Sequence, residues 1–271
     1  MFKQRVITAV IVAPIFVFVI WFGLPWFATL IAAVVVVGTF EFYHAVSNSG
    51  KGHPLTYFGL LWALALVLSP LSLHYRSFNA LPLIMTLAVV ISLFWLLYRS
   101  PREEAFHNWA WTVAGVLYVG WMLSYWVNLR GLEDGMNWVY LALFTTFAND
   151  TGAFFVGRAW GKHHLASGIS PGKTWEGALG GLLSAIVAAI AISKIPILFS
   201  PFPFEHWQLI LLSFLISLFA QFGDLVESLF KRNVEAKDSG KLLPGHGGIL
   251  DRFDSLIFTG VVVYYYVTFA L

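Results

Sequence analysis

Five cations, four carboxylates and one histidine fall within the 27 residues SLFKRNVEAKDSGKLLPGHGGILDRFD that run from Ser228 to Asp254. The cations are Lys231, Arg232, Lys237, Lys241 and Arg252; the acids are Glu235, Asp238, Asp251 and Asp254; the histidine is His246. The chain as a whole is only 11% charged, and apolar segments flank the cluster on both sides. Charge is costly beside hydrocarbon, so an ionisable cluster in such surroundings marks a functional site at a membrane boundary or in a polar cavity.

Spacing indicates what that chemistry is. In QFGDLVESLFKR, Asp224, Glu227, Ser228 and Lys231 stand at i, i+3, i+4 and i+7, one face of a helix. In HGGILDRFDSLIF, Asp251, Asp254 and Ser255 stand at i, i+3 and i+4 of the next helix. Carboxylates in a first turn complement the helix dipole, so capping is one reading. Capping accounts for one Asp but poorly for an Asp-x-x-Asp pair preceded by PGHGG, and metal or phosphate chemistry is the favoured reading. The two helix ends are expected at the same membrane face, with Asp224, Asp251 and Asp254 among the metal ligands. A few hard oxygen ligands, completed by waters and substrate phosphates, suit Mg²⁺. Gly245, Gly247 and Gly248 would let backbone N–H groups approach phosphate oxygens. Lys231, Arg232, Lys237 and Lys241 would offset polyphosphate charge. Metal, cationic clamp and glycine turn together serve phosphoryl or nucleotidyl transfer.

A second polar patch reads FANDTGAFFVGRAWGKHHLASGISPGKTWEG. Its Asp150 lies inside an apolar span and needs a cation or metal. Gly172-Lys173-Thr174 resembles a phosphate loop, but three residues separate Gly168 from Gly172 where that pattern needs four. A Gly-Lys-Thr turn contacting phosphate through Lys173 remains, with Ser170 and Thr174 as alternative helix caps. His163 and His164 lack metal-ligand spacing and read as interfacial. In the second span Glu41 and His44 are spaced i,i+3; they either line a polar cavity or satisfy each other. No metalloprotease, serine-hydrolase or dinucleotide motif is present.

The elements that must position these residues are membrane helices. At 59% hydrophobic, 17% aromatic and mean hydropathy +0.77, the chain departs from soluble domains, which are about 45–50% apolar and about 25% charged. The expected fold is all-α: a polytopic integral membrane protein of about nine transmembrane helices, near 5–22, 25–46, 56–74, 80–98, 108–127, 137–158, 175–194, 206–230 and 251–270. The runs are too long and too uniformly apolar for barrel strands. A single membrane domain is expected over 1–271, with 1–130 an apolar scaffold and 137–271 carrying the active site. The run after MFKQR is longer than a signal-peptide core and lacks a small-residue cleavage site, so it is expected to stay as the first span. Nine spans place thirteen of the sixteen Lys and Arg residues on one side, which the positive-inside rule makes cytoplasmic, with the carboxyl terminus outside. A net charge of +2 gives no sign of nucleic acid, and the absence of cysteine excludes disulfides and thiolate chemistry.

The order SLFKR, four residues, KDSG, then LPGHGGILDRFD resembles the signature of the phosphatidate cytidylyltransferases, and the NDTGAFF to PGKTWEG stretch is similar to that family's other well-marked region. The resemblance implies that CTP and phosphatidic acid give CDP-diacylglycerol and pyrophosphate in phospholipid biosynthesis, with Mg²⁺ required and room for a second metal ion. By the family's pattern Asp224 and Asp251 would hold the metal, with Asp254 and Asp150 nearby. Lys173, Lys231, Arg232, Lys237 and Lys241 would clamp phosphates, assisted by Gly247 and Gly248, and Asp238 and Arg252 join the catalytic set. His246 would orient pyrophosphate or serve the turn. The partners implied are the two substrates and membrane lipid, and a homodimer is open. Two other classes stay in view: a CTP-dependent polyprenol or lipid kinase, which would release CDP, and an ion-coupled transporter using Asp150, Glu41 and Asp224.

Overall fold

The computed structural model describes residues 14–99, 103–196, 198–199, 201–240 and 247–270. Among them are eight helices long and apolar enough to cross a bilayer. They are α1 (Leu24–Asn48), α2 (Thr56–Arg76), α3 (Leu81–Arg99), α4 (Ala105–Arg130), α5 (Gly135–Trp160), α6 (Trp175–Ser193), α7 (His206–Asn233) and α8 (Leu250–Ala270). Residues 14–22 are also helical, while the expected start of the first span, with Lys3 and Arg5, lies outside the described residues. The protein is an all-α polytopic membrane protein whose span count is near nine.

The chain divides into two compact units, Met1–Gly131 with Asn233–Arg252, and Leu132–Arg232 with Phe253–Leu271. In the first, the Tyr43 ring on α1 is the hub. A Cβ at Gly59 of α2 or Gly115 of α4 would collide with that ring, so both helices can approach it only at glycine. The Tyr43 hydroxyl donates to the Thr112 carbonyl at 2.7 Å, which satisfies a phenol buried in an apolar bundle. Within α4 the residues Val116–Trp121 form a π-helical turn. One face of α4 meets α2 backbone to backbone there: a Cβ on Gly120 would stand 2.8 Å from the Ala63 Cα.

In the second unit, α5 and α6 pack most closely. Gly177, Gly181 and Ala185 are buried at i, i+4 and i+8, whereas Leu179, Leu183 and Val187 at the same spacing are exposed. Small residues inside and large apolar ones outside are what a helix packing in lipid requires, since lipid supplies no hydrophobic drive for association. A Cβ on Gly181 would lie 2.7 Å from the Asn149 Oδ1. Between these helices the sequence suggests an irregular loop, but the chain forms a short antiparallel hairpin, β1 (His164–Ala166) and β2 (Ser170–Thr174), pairing His164 with Thr174 and Ala166 with Ser170.

The hairpin ends where α6 is capped. The Thr174 hydroxyl accepts the Gly177 N–H at 3.1 Å, fulfilling the capping alternative for Thr174, while Ser170 opens β2 instead. Glu176 accepts the N–H groups of Lys162 and His163, and its other oxygen lies 2.6 Å from the His163 ring. His163, expected at the interface, is exposed and has a carboxylate partner there.

Candidate active site

The second unit collects charge around three helices and the hairpin. Lys173, at the end of β2, reaches Asp224 on α7, Nζ to Oδ2 2.8 Å. Asp254 of α8 lies beside Asp224 because the two helices touch at Gly223, where a Cβ would strike the Asp254 carbonyl oxygen. Asp150 on α5 completes the group: Asp150, Asp224 and Asp254 are close enough to repel one another, and Lys173 and Lys231 supply the opposing field. One turn along α7, the fully buried Glu227 forms an i,i+4 ion pair with Lys231. With all six ionised, four carboxylates face two ammonium groups.

Asp150 is aimed by neutral neighbours. Asn149, wholly buried, donates from Nδ2 to the Asp150 Oδ1 at 3.0 Å. Its own Oδ1 accepts the Ser217 hydroxyl at 2.7 Å and the Gln221 amide at 3.4 Å. Gln221 also donates to the Ala178 carbonyl, tying α7 to α6. Sequence reasoning passed over Ser217 and Gln221. Their signal was present, because they stand one turn apart on the stripe that leads to Asp224. The acidic stripe also satisfies itself in part, the Ser228 hydroxyl donating to Asp224 at 3.4 Å. Arg232 is exposed and donates to the Ile169 carbonyl in the hairpin at 3.3 Å.

The first unit holds the other half of the signature. Asp251, in the first turn of α8, accepts through Oδ2 from the Gly248 N–H at 2.8 Å and from the Ser239 N–H and hydroxyl, each at 2.9 Å. This is the capping arrangement, made by Asp251 alone of the Asp-x-x-Asp pair; Asp254 instead accepts the N–H of Ser255 at 2.7 Å. Gly247 has φ 83°, and a Cβ there would press on the Asp251 Oδ2 at 2.8 Å, so glycine is needed twice over. The Gly248 N–H, expected to meet phosphate, is engaged by Asp251 in this structure. Lys237, Asp238 and Arg252 are exposed around this turn. Lys241, Gly245 and His246 lie outside the described residues.

Glu41 and His44 do not satisfy each other. Glu41 is buried and accepts the N–H groups of Ile249 and Leu250 at 3.1 and 3.0 Å, while His44 is exposed and stacks on Phe40. An unfilled helix N-terminus attracts the carboxylate more strongly than a neutral imidazole on the same helix.

Among the described residues, no three His or acidic side chains are gathered tightly enough to enclose a metal by themselves. Mg²⁺ does not need such a cage: one or two carboxylates with waters and substrate phosphates suffice. Among the described residues, the four acids counted with Glu227 outnumber the two lysines by two, so a divalent cation would balance the fully ionised group, and Asp150, Asp224 and Asp254 offer it hard oxygen donors. The residues present therefore fit Mg²⁺.

Comparison with known proteins agrees with this chemistry. A model described as the Cytidylyltransferase family matches residues 3–270. A phosphatidate cytidylyltransferase of Bacillus subtilis (strain 168) is 35% identical over 267 residues, covering 97% of this chain and 96% of that protein. One from Staphylococcus haemolyticus is 35% identical over 94% of this chain and 95% of its own length. Another, from Staphylococcus aureus (strain COL), is 37% identical over 74% of this chain and 75% of its own. Matched from end to end by the family model, and carrying acids and lysines suited to phosphate transfer, the chain belongs to the cytidylyltransferase family.

Proposed function

We propose that this protein converts CTP and phosphatidic acid to CDP-diacylglycerol and pyrophosphate at the membrane surface. The observation that carries the reading is the under-neutralised group of Asp150, Asp224 and Asp254, flanked by Lys173 and Lys231, in a chain whose relatives are named for this reaction. A phosphate oxygen of phosphatidic acid attacks the α-phosphorus of CTP. The bond from the α-phosphorus to the bridging oxygen breaks, and pyrophosphate leaves with that oxygen. The nucleophile is already an anion, so no enzyme base or covalent intermediate is required. The barrier is the approach of two anions, and catalysis is positioning plus charge neutralisation.

Mg²⁺, when bound, would be held by Asp224 with Asp254 and Asp150 nearby, and would neutralise phosphate charge and polarise the phosphorus. Lys173 and Lys231 hold phosphate oxygens, and the exposed Arg232 extends the clamp toward solvent. Asn149 holds Asp150 in place through its amide. The acyl chains of the lipid remain in the bilayer, consistent with the apolar outer faces of α3 and α6.

Purified protein supplied with labelled CTP, phosphatidic acid and Mg²⁺ should form CDP-diacylglycerol and release pyrophosphate. Release of CDP with a phosphorylated lipid would instead identify a lipid kinase, and neither product would overturn the proposal. The active face is cytoplasmic, where CTP is available and the positive-inside rule puts most Lys and Arg. The natural chain has no cysteine, so Lys162→Cys and Lys194→Cys can be labelled one at a time in intact cells. An impermeant maleimide should reach only the cysteine at 194; labelling at 162 alone would reverse the orientation.

A further inference from the structure

Glu41 is an acid in the membrane-spanning α1, far in sequence from both signature regions, and the reaction chemistry makes no use of it. Its surroundings are nevertheless built to receive it. Both oxygens are engaged: Oε1 by the Ile249 N–H at 3.1 Å, and Oε2 by the Leu250 N–H at 3.0 Å and the Ser239 hydroxyl at 3.4 Å. The Ser239 hydroxyl also lies 2.9 Å from the Asp251 Oδ2 and accepts the Asp251 N–H at 3.3 Å. Glu41 and Ser239 are both buried. Gly240 and Gly248 close the pocket: a Cβ on Gly240 would collide with the Glu41 carboxylate, and one on Gly248 would stand 2.5 Å from its Oε2.

From these contacts we infer that Glu41 is a positioning residue for the acidic turn: it fixes the start of α8 and, through Ser239, the rotamer of Asp251. A buried carboxylate needs donors, and here each donor belongs to the segments on either side of the signature loop, 239–240 and 248–250. The helix dipole and two N–H groups that cannot reach an intrahelical acceptor favour the anion. The same hydroxyl proton faces two carboxylates and lies nearer Asp251, so Ser239 couples the two acids. Glu41 touches no substrate in this account. Its effect on turnover passes through Asp251 and the turn that Asp251 caps, and it rests on the proposed cytidylyl transfer, for which that signature segment is expected to supply groups.

Substitution Glu41→Gln keeps the size but presents an amide N–H₂ to one of the N–H donors. A buried donor left without an acceptor costs enough to change a local equilibrium by about tenfold or more. In detergent-purified full-length protein, kcat should fall by about tenfold while KM for CTP moves by less than about threefold, since no ground-state contact is lost. Amide hydrogen exchange over residues 239–251 should quicken by a similar factor, with α2 and α5 unchanged. Glu41→Asp should recover more of kcat than Glu41→Ala. Wild-type kcat with unchanged exchange in Glu41→Gln would overturn the inference. So would faster exchange throughout the protein with kcat falling only as the folded fraction falls, because Glu41 would then serve stability alone. Should Glu41→Gln fail to fold, Ser239→Ala removes the coupling hydroxyl and must show the same local exchange and kcat loss. If wild type forms no CDP-diacylglycerol, the functional proposal fails, and the exchange measurement still decides whether Glu41 clamps the turn.

Discussion

Replacing Lys173 by Met tests the charge argument most sharply. The Nζ to Oδ2 separation of 2.8 Å from Asp224 corresponds to a Coulomb attraction of about 6 kcal/mol at an effective dielectric constant of about 20. Little of that attraction becomes stability. The Asp224 side chain is 41% exposed and that of Lys173 21%, so screening and desolvation reduce the net contribution to about 1–2 kcal/mol. Loss of that amount should lower the melting temperature by only about 2–6 °C. Catalysis should suffer more. A preorganised positive group aimed at developing phosphate charge contributes about 2.7–4 kcal/mol, or about 10²–10³ in kcat. Lys173→Met should therefore remain folded at assay temperature and lose at least about 100-fold in CDP-diacylglycerol formation.

The stability readout separates the two uses of the lysine. If Lys173 merely neutralised Asp224, Lys173→Met would lose activity only as its folded fraction falls, and that result would refute the reasoning. Activity within about threefold of wild type would refute it too. The measurement pairs labelled-CTP incorporation into lipid with thermal unfolding followed by tryptophan fluorescence in the same detergent.

Three further outcomes follow from the packing and the proposed metal. Gly223→Val would force a side chain into the Asp254 carbonyl, separating α7 from α8; activity should fall at least about tenfold and stability by about 1–3 kcal/mol or more, read by turnover and melting temperature. Gly181→Leu would press on Asn149 and part α5 from α6, lowering the melting temperature by a comparable overpacking cost and weakening the hold on Asp150. Removal of divalent cations by EDTA should abolish pyrophosphate release. Mg²⁺ should restore it and Ca²⁺ should not, because Ca²⁺ prefers about 6–8 ligands at longer distance.

Much of this molecule is legible in sequence because lipid enforces simple rules. Every backbone group in the bilayer must bond within its own helix, so apolar runs gave helices whose cores match the structure, from α1 at Leu24–Asn48 to α8 at Leu250–Ala270. The i,i+3,i+4 stripe through Asp224 was equally readable, since helical spacing is local. Less local features were hidden. The hairpin at 164–174 arises because a chain returning to α6 can pair its strands, which the Gly, Pro and Ser residues there did not advertise. The π turn at Val116–Trp121 carries no pattern of its own. The partner of Glu41 could not be read from α1 at all: the donors at Ile249 and Leu250 are some 208 and 209 positions away, and only folding brings them in.

The two groups of acids in this protein are distinguished by what neutralises them. Glu41 is met by neutral N–H and O–H donors and by the positive end of α8, and each oxygen has a partner within hydrogen-bond range. Such an arrangement is complete, and a cation added to it would have to displace backbone donors. Asp150, Asp224 and Asp254 are held close despite mutual repulsion, with fewer lysines than acids around them. Three carboxylates kept together by helix packing at Gly223 and by an amide at Asn149 retain a demand for positive charge that Lys173 and Lys231, the lysines facing them among the described residues, do not fully meet. In a membrane, where that demand is costly, its persistence is the physical reason to assign the metal and the phosphates to this group and to leave Glu41 outside the chemistry.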